Sequence, residues 1–166
     1  MKYLAGADIG TTSLKLCVFS EDGTIIKSVS KDYTLLVSGD TVEFPADEYV
    51  RLFKLAYDEA SDGLEISALA IDTQCETLIV TEGSGEPLMN AIVWLDNRAA
   101  KQADEIKERF GNKKVYDVTG QPEITATWPS AKLFWIKQNK PDIFSEIKKP
   151  GQSYFSSRFN RFGQKA

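Results

Sequence analysis

The sequence predicts an α/β domain whose mixed sheet opens with a three-stranded antiparallel meander and is flanked by helices. Three observations carry this. Residues 3–9, 14–20 and 25–36 are apolar-rich runs, separated only by Gly10-Thr11-Thr12-Ser13 and by Glu21-Asp22-Gly23-Thr24. Tight turns of this kind join neighbouring strands antiparallel. After Pro45, residues Tyr49, Leu52, Phe53, Ala56, Tyr57 and Ala60 recur at helical spacing, which makes one apolar stripe. Residues 66–72 form a short, largely apolar run, of the kind found in strands buried on both faces.

The elements follow in order. Asp22-Gly23 is a strong hairpin signal. Residues 37–44 read as irregular, with Ser38, Gly39 and Asp40 as loop chemistry. The helix over 46–60 carries Asp47 and Glu48 in its first turn, where the helix dipole favours negative charge, and Asp62-Gly63 ends it. Two further strands, 77–81 and 88–94, flank the turn 82–87. A helix over 99–110 buries Ala99, Ala103, Ile106 and Phe110 and is capped by Gly111. Residues 115–122 lead into a polar loop containing Thr125, Thr127 and Trp128. Pro129 suits the first position of a helix that includes Leu133 and Ile136, and Pro141 begins a short helical stretch to residue 147. Beyond Lys149 the chain turns basic, aromatic and aperiodic, so 150–166 is expected to be an irregular tail.

Composition narrows the chemistry. At 166 residues the chain can bury a real core. A net charge of −4 and a sequence pI of about 5.0 provide no basic footprint for nucleic acid. No apolar run reaches the length of a membrane span, and the first residues lack the regions of a signal peptide. Cytoplasm is the expected location. Cys17 and Cys75 match no metal-ligand spacing. There is no histidine, which excludes Ser-His-Asp and Cys-His catalysis and every histidine-based metal site. Chemistry must run on carboxylates, hydroxyls, backbone amides, Lys or Arg.

Two stretches offer such chemistry. Gly10, Thr11, Thr12 and Ser13 present backbone N–H groups and three hydroxyls on one tight tip, which suits phosphate oxygens. Asp8, at the end of the first strand, is placed to hold Mg²⁺ through water; the plain alternative is a polar hairpin with solvated hydroxyls. Gln74, Cys75 and Glu76 follow the strand 66–72, at the strand end where open α/β sheets bind ligands. Gln74 and Glu76 suit the hydroxyls of a sugar or polyol, or they are exposed loop residues. Cys75 between them reads as packing. Asp96 and Arg98 are either functional or an internal ion pair fixing a turn. Trp128 either stacks on a sugar face or packs.

Taken together, the motifs resemble the N-terminal part of the FGGY family of carbohydrate kinases. They are Ala7-Asp8-Ile9-Gly10-Thr11-Thr12-Ser13, Ala70-Ile71-Asp72-Thr73-Gln74-Cys75-Glu76-Thr77 and Gly85-Glu86-Pro87-Leu88, with Ala91-Ile92-Val93-Trp94-Leu95-Asp96-Asn97-Arg98, Val118-Thr119-Gly120, Ser130-Ala131-Lys132-Leu133 and Trp135 after them. The resemblance runs to about Lys149 and implies a ribonuclease-H-like, actin/hexokinase-type ATPase fold, with residues 1–149 an incomplete N-terminal kinase domain. It implies transfer of the ATP γ-phosphoryl group to a sugar or polyol hydroxyl, with ATP and Mg²⁺ as cofactors. Asp8 matches the family's Mg²⁺-associated aspartate, Gly10, Thr11, Thr12 and Ser13 its phosphate loop, and Gln74, Cys75 and Glu76 its substrate-contacting segment; Trp128 falls near another. Glycerol kinases usually carry Arg-Glu at the last two of those places and xylulokinases Met-His, so Cys75 departs from both.

Family members are several times longer. The resemblance places the general-base aspartate and a second actin-like lobe beyond residue 166, so no catalytic base is expected in this chain. The expectation is a kinase-lineage fragment with little or no turnover alone. The alternative is a non-catalytic sugar-binding or self-associating module, pairing as a homodimer through the face that the absent lobe leaves open. An actin-like or chaperone ATPase fits less well, because neither the Trp94 to Arg98 segment nor Val118-Thr119-Gly120 is expected there.

Overall fold

In chain order the elements are β1 (Tyr3–Ile9), β2 (Ser13–Ser20), β3 (Ile25–Asp32), β4 (Leu36–Ser38), β5 (Thr41–Phe44), α1 (Ala46–Ser61), β6 (Ile66–Thr73), β7 (Ala91–Ile92), α2 (Ala100–Phe110), α3 (Asn112–Thr119), α4 (Pro129–Asn139) and α5 (Pro141–Glu146). They come from a computed structural model that describes residues 2–147; the tail expected over 150–166 lies outside the described residues. The chain divides into two compact units. One takes Met1–Leu35 and Asp47–Cys75, the other Leu36–Ala46 and the chain from Glu76 onward.

The first unit contains the predicted meander. Its four strands run in the order β3-β2-β1-β6, with β1–β2 and β2–β3 antiparallel and β1–β6 parallel. Alternation decides which face is buried. Ala5, Ala7 and Ile9 of β1 and Leu14, Leu16 and Val18 of β2 are buried, while Leu4, Asp8 and Lys15 are exposed. Helix α1 buries Tyr49, Leu52, Phe53, Ala56 and Ala60, five of the six predicted positions, and leaves Tyr57 half-buried. It is fastened to the sheet by Lys31 to Glu59 at 2.6 Å and by the edge of Tyr33 against Tyr49, with ring centroids 5.7 Å apart.

The expectation of a strand buried on both faces at 66–72 is corrected. Of β6, only Ile66 and Leu69 are even half-buried. The composition is that of an interior strand, but among the described residues β6 has β1 as its one neighbour and stands at the sheet edge. Burial in a sheet comes from a strand's neighbours as well as its own residues.

The second unit corrects four more expectations. Residues 37–44 are not irregular, because β4 and β5 form a hairpin around Gly39, whose φ of 56° suits the turn. Leu36 and Val37 are exposed, so no buried alternation marks β4. The strands expected over 77–81 and 88–94 shrink to β7 plus isolated bridges, Leu78 with Ile92 and Thr81 with Pro87. Pro87 has no N–H to continue a ladder. Residues 112–119 form α3 rather than leading directly into a loop. Lys113 and Asp117 pair one turn apart at 2.6 Å, and left-handed Gly120 stops the helix, its N–H donating to the Tyr116 carbonyl. Phe110, expected to be buried, is exposed at the last residue of α2.

Two apolar clusters form this unit's core. Ala99, Ala103, Ile124, Ala126 and Ala131 gather in one, and Val80, Ile92 and Ile136 in the other. Among the described residues no helix is long and apolar enough to cross a membrane.

Candidate functional site

The turn between β1 and β2 is as tight as its sequence requires. The Gly10 N–H donates to the Ser13 carbonyl at 2.9 Å. A Cβ at Gly10 would meet that carbonyl oxygen at 3.2 Å and Asp8 Oδ1 at 3.9 Å, so the space any side chain would fill is a small gap beside the carboxylate. Tyr33, at the end of β3, braces the turn from outside: its hydroxyl donates to the Gly10 carbonyl and its N–H to the Thr12 carbonyl at 2.9 Å. Burial pushes the Tyr33 hydroxyl well above the usual phenol range, with Tyr49 and Asp8 adding to it, so it stays a protonated donor.

Register sets the neighbours of Asp8. It pairs with Lys15 on β2 and with Asp72 on β6, and cross-strand partners point to the same face of a sheet. All three are exposed. Two carboxylates and one ammonium thus occupy neighbouring register positions at the strand end. The parallel pairing of β1 with β6 brings Gln74 to this same end, its N–H donating to the Ile9 carbonyl at 2.9 Å.

Gln74 is half-buried. Its Nε2 donates to the Tyr49 hydroxyl at 2.9 Å, while its Oε1 is buried without a partner. Buried acceptors are normally satisfied, so this oxygen is an orphan among the described residues. Burial pushes Tyr49 up to about 12, offset in part by the Gln74 hydrogen bond. Cys75, read from the sequence as packing, is instead exposed, as a free thiol.

The second unit holds the other predicted residues. Glu76 is the one non-glycine residue with positive φ among the described residues, at 61°. Left-handed backbone at a non-glycine residue is uncommon and collects at functional sites. Its carbonyl accepts from Lys132 Nζ at 2.8 Å.

Asp96 and Arg98 resolve as the internal ion pair. Asp96 is fully buried and takes Arg98 Nη2 at 2.8 Å, Arg98 Nε at 2.9 and 3.0 Å and the Val42 N–H at 2.6 Å. Arg98 also reaches Glu43 at 2.7 Å and lies over the Trp135 ring, 5.1 Å from its centroid. These bonds join β5 to the turn after β7. Trp128 is half-buried against the Ala99–Ala103–Ile124 cluster, which accounts for it as packing.

Three contributors are not flagged by sequence chemistry. Tyr33 gives no local signal, since its partner turn lies more than twenty residues earlier. Asp72 is revealed only by register. Lys132 precedes buried Ile136 by one helical turn, and a lysine at core spacing is the cue that points to it.

Comparison with known proteins bears on the family and the fold. A model described as the FGGY family of carbohydrate kinases, N-terminal domain, matches residues 3–157. Glycerol kinase 2 of Thermotoga maritima is 34% identical over 157 residues, covering 90% of this chain and 31% of the relative. The ligand-bound xylulose kinase of Lactobacillus acidophilus superposes with a TM-score of 0.82 at 29% identity, over 90% of this chain and 31% of that one. The glycerol kinase of Plasmodium falciparum, solved with ADP, gives 0.81 at 25% identity, over 87% of this chain and 30% of that one. This chain spans about three tenths of the length of the curated relatives it matches.

Proposed function

Since the chain belongs to the FGGY family of carbohydrate kinases and matches its N-terminal domain, we propose that it supplies the phosphate-gripping and acceptor-reading half of an ATP-dependent sugar or polyol kinase. The observation that carries this reading is the Gly10 turn, too close to the Ser13 carbonyl for a Cβ to fit comfortably and braced by Tyr33. Thr11, Thr12 and Ser13 hold phosphate oxygens by backbone N–H and hydroxyl donors, while Gly10, whose N–H is spent on the Ser13 carbonyl, shapes the turn. Asp8 holds Mg²⁺ through water. The ion, when bound, neutralises charge that builds on the phosphoryl oxygens. The Glu76 carboxylate accepts hydrogen bonds from acceptor hydroxyls, and Gln74 offers its side-chain amide to the same class of group.

No residue here is assigned as the base that deprotonates the acceptor. Phosphoryl transfer depends on metal, phosphate cradle and base being aligned together. The 166-residue chain alone is therefore expected to bind MgATP yet to turn over little or none of it with D-xylulose, glycerol or D-gluconate. A coupled ADP-release assay checks this. Rates in the ordinary kinase range of roughly 1–100 s⁻¹ would overturn it, and so would failure to bind MgATP.

A second reading has its own observation. β6 presents an edge free of Lys and Pro, with Ile71 36% exposed, and edges lacking such guards invite pairing with another strand. In this reading the chain is a self-associating module. Light scattering across a concentration series is expected to show mass rising with concentration, and a Leu69→Lys substitution on β6 to suppress the rise. A constant monomer mass would remove this reading.

A further inference from the structure

Lys132 is fully buried on α4, where lysine is rarely found unless its charge is met. Its Nζ donates to two backbone carbonyls, Glu76 at 2.8 Å and Val93 at 3.1 Å. The charged groups facing it are Asp96, Glu76 and Arg98. The oxygens of Asp96 are already taken by Arg98 and the Val42 N–H, and among the described residues Lys132 makes no ion pair. Its bonds therefore go to backbone rather than to a carboxylate. The two segments it joins are tied again by the Trp94 N–H, which donates to Thr77 Oγ1 at 3.2 Å.

We infer that Lys132 is a positioning residue: by bridging the Glu76 and Val93 carbonyls it holds Glu76 in its left-handed backbone geometry and thereby aims the acceptor-reading carboxylate. This rests on the proposed role of Glu76 as an acceptor contact. The positive φ at Glu76 is unusual for a residue with a side chain and persists where surroundings over-determine it. Lys132 donates to that residue's carbonyl. Burial lowers the Lys132 ammonium to about 8, against the pull of Asp96 and Glu76 and with the push of Arg98. That balance is expected of a group kept for its donors rather than for its charge.

The test uses the full chain, isotope-labelled, as wild type, Lys132→Met and Glu76→Gln. In Lys132→Met the Glu76 backbone shifts are expected to leave left-handed values, and the Trp94 amide to exchange about tenfold faster or more. Affinity for glycerol, D-xylulose or D-gluconate, whichever binds wild type, is expected to fall about tenfold while MgADP affinity holds, a split that general destabilisation would not produce. Unchanged Glu76 and Trp94 signals would overturn the inference. Glu76→Gln is expected to lose acceptor affinity without moving its own backbone. Unchanged acceptor affinity in that variant would sink the acceptor role of Glu76 separately, whatever Lys132→Met does to the backbone. Should Lys132→Met not fold, the wild type decides: couplings across the hydrogen bonds from Lys132 Nζ to the Glu76 and Val93 carbonyl carbons are expected, and their absence would overturn the bridge.

Discussion

Replacing Asp96 with alanine is expected to lower the unfolding free energy by about 3–5 kcal/mol, the usual cost of breaking a buried ion pair from one side. The reason lies in what is stranded. Arg98, nearly buried, would keep only Glu43, which is itself partly exposed, and the Val42 N–H would lose its acceptor. The same carboxylate also takes the Arg98 N–H at 3.0 Å, so the turn between β7 and α2 loosens as well. Native domains have about 5–15 kcal/mol in total, and a loss of this size should bring the unit close to unfolding. The measurement has a built-in reporter. All three tryptophans, Trp94, Trp128 and Trp135, fall in the second unit, so fluorescence during urea unfolding follows that unit alone. The double variant Asp96→Ala with Arg98→Met is expected to cost clearly less than the sum of the single changes, since it removes the stranded cation as well. A loss below about 1 kcal/mol for Asp96→Ala would mean that water or rearrangement rescues Arg98.

The contrast between the two units explains what the sequence could tell. Strands β1 and β2 and helix α1 were legible because one face of each is buried and the other wet, so Leu14, Leu16 and Val18 alternate and Tyr49, Leu52, Phe53 and Ala56 recur; β3, with Val29 its one buried residue, was legible from the Asp22-Gly23 turn before it. Asp8 and the Gly10 turn were legible for the same local reason, a glycine and hydroxyls between two such strands. β4 was not, because Leu36 and Val37 are both exposed and its pairing with β5 is fixed by a turn rather than by a core. β6 misled in the other direction, with the residues of an interior strand at an edge position. Asp96 and Arg98 were ambiguous since their partners, Val42 and Glu43, lie more than fifty residues away. Tyr33 and Lys132 act through backbone carbonyls distant in sequence, and no residue pattern encodes which carbonyl a long side chain will reach.

Changing Asp8 to asparagine should separate binding from stability more sharply than any other single substitution. Asp8 is exposed, and register sets it beside Asp72 on one side and Lys15 on the other. Like charges directly opposite in a sheet are destabilising, so removing one is expected to leave the fold unharmed or slightly more stable. MgATP affinity should fall about 10–100-fold, the range seen when groups that orient a metal's shell are lost. In EDTA the sign reverses: ATP alone is more anionic, and Asp8→Asn should bind it at least as well as wild type, because one repelling carboxylate has gone. Asp72→Asn removes the neighbouring charge but leaves the carboxylate beside Gly10, whose hypothetical Cβ lies 3.9 Å from Asp8 Oδ1. It is expected to weaken MgATP binding much less. Equilibrium dialysis with and without Mg²⁺ gives all four comparisons. Equal losses for the two aspartates would make the strand end a diffuse acidic patch rather than a metal position, and a loss for Asp8→Asn that persists in EDTA would show that the turn itself, and not the ion, had been damaged.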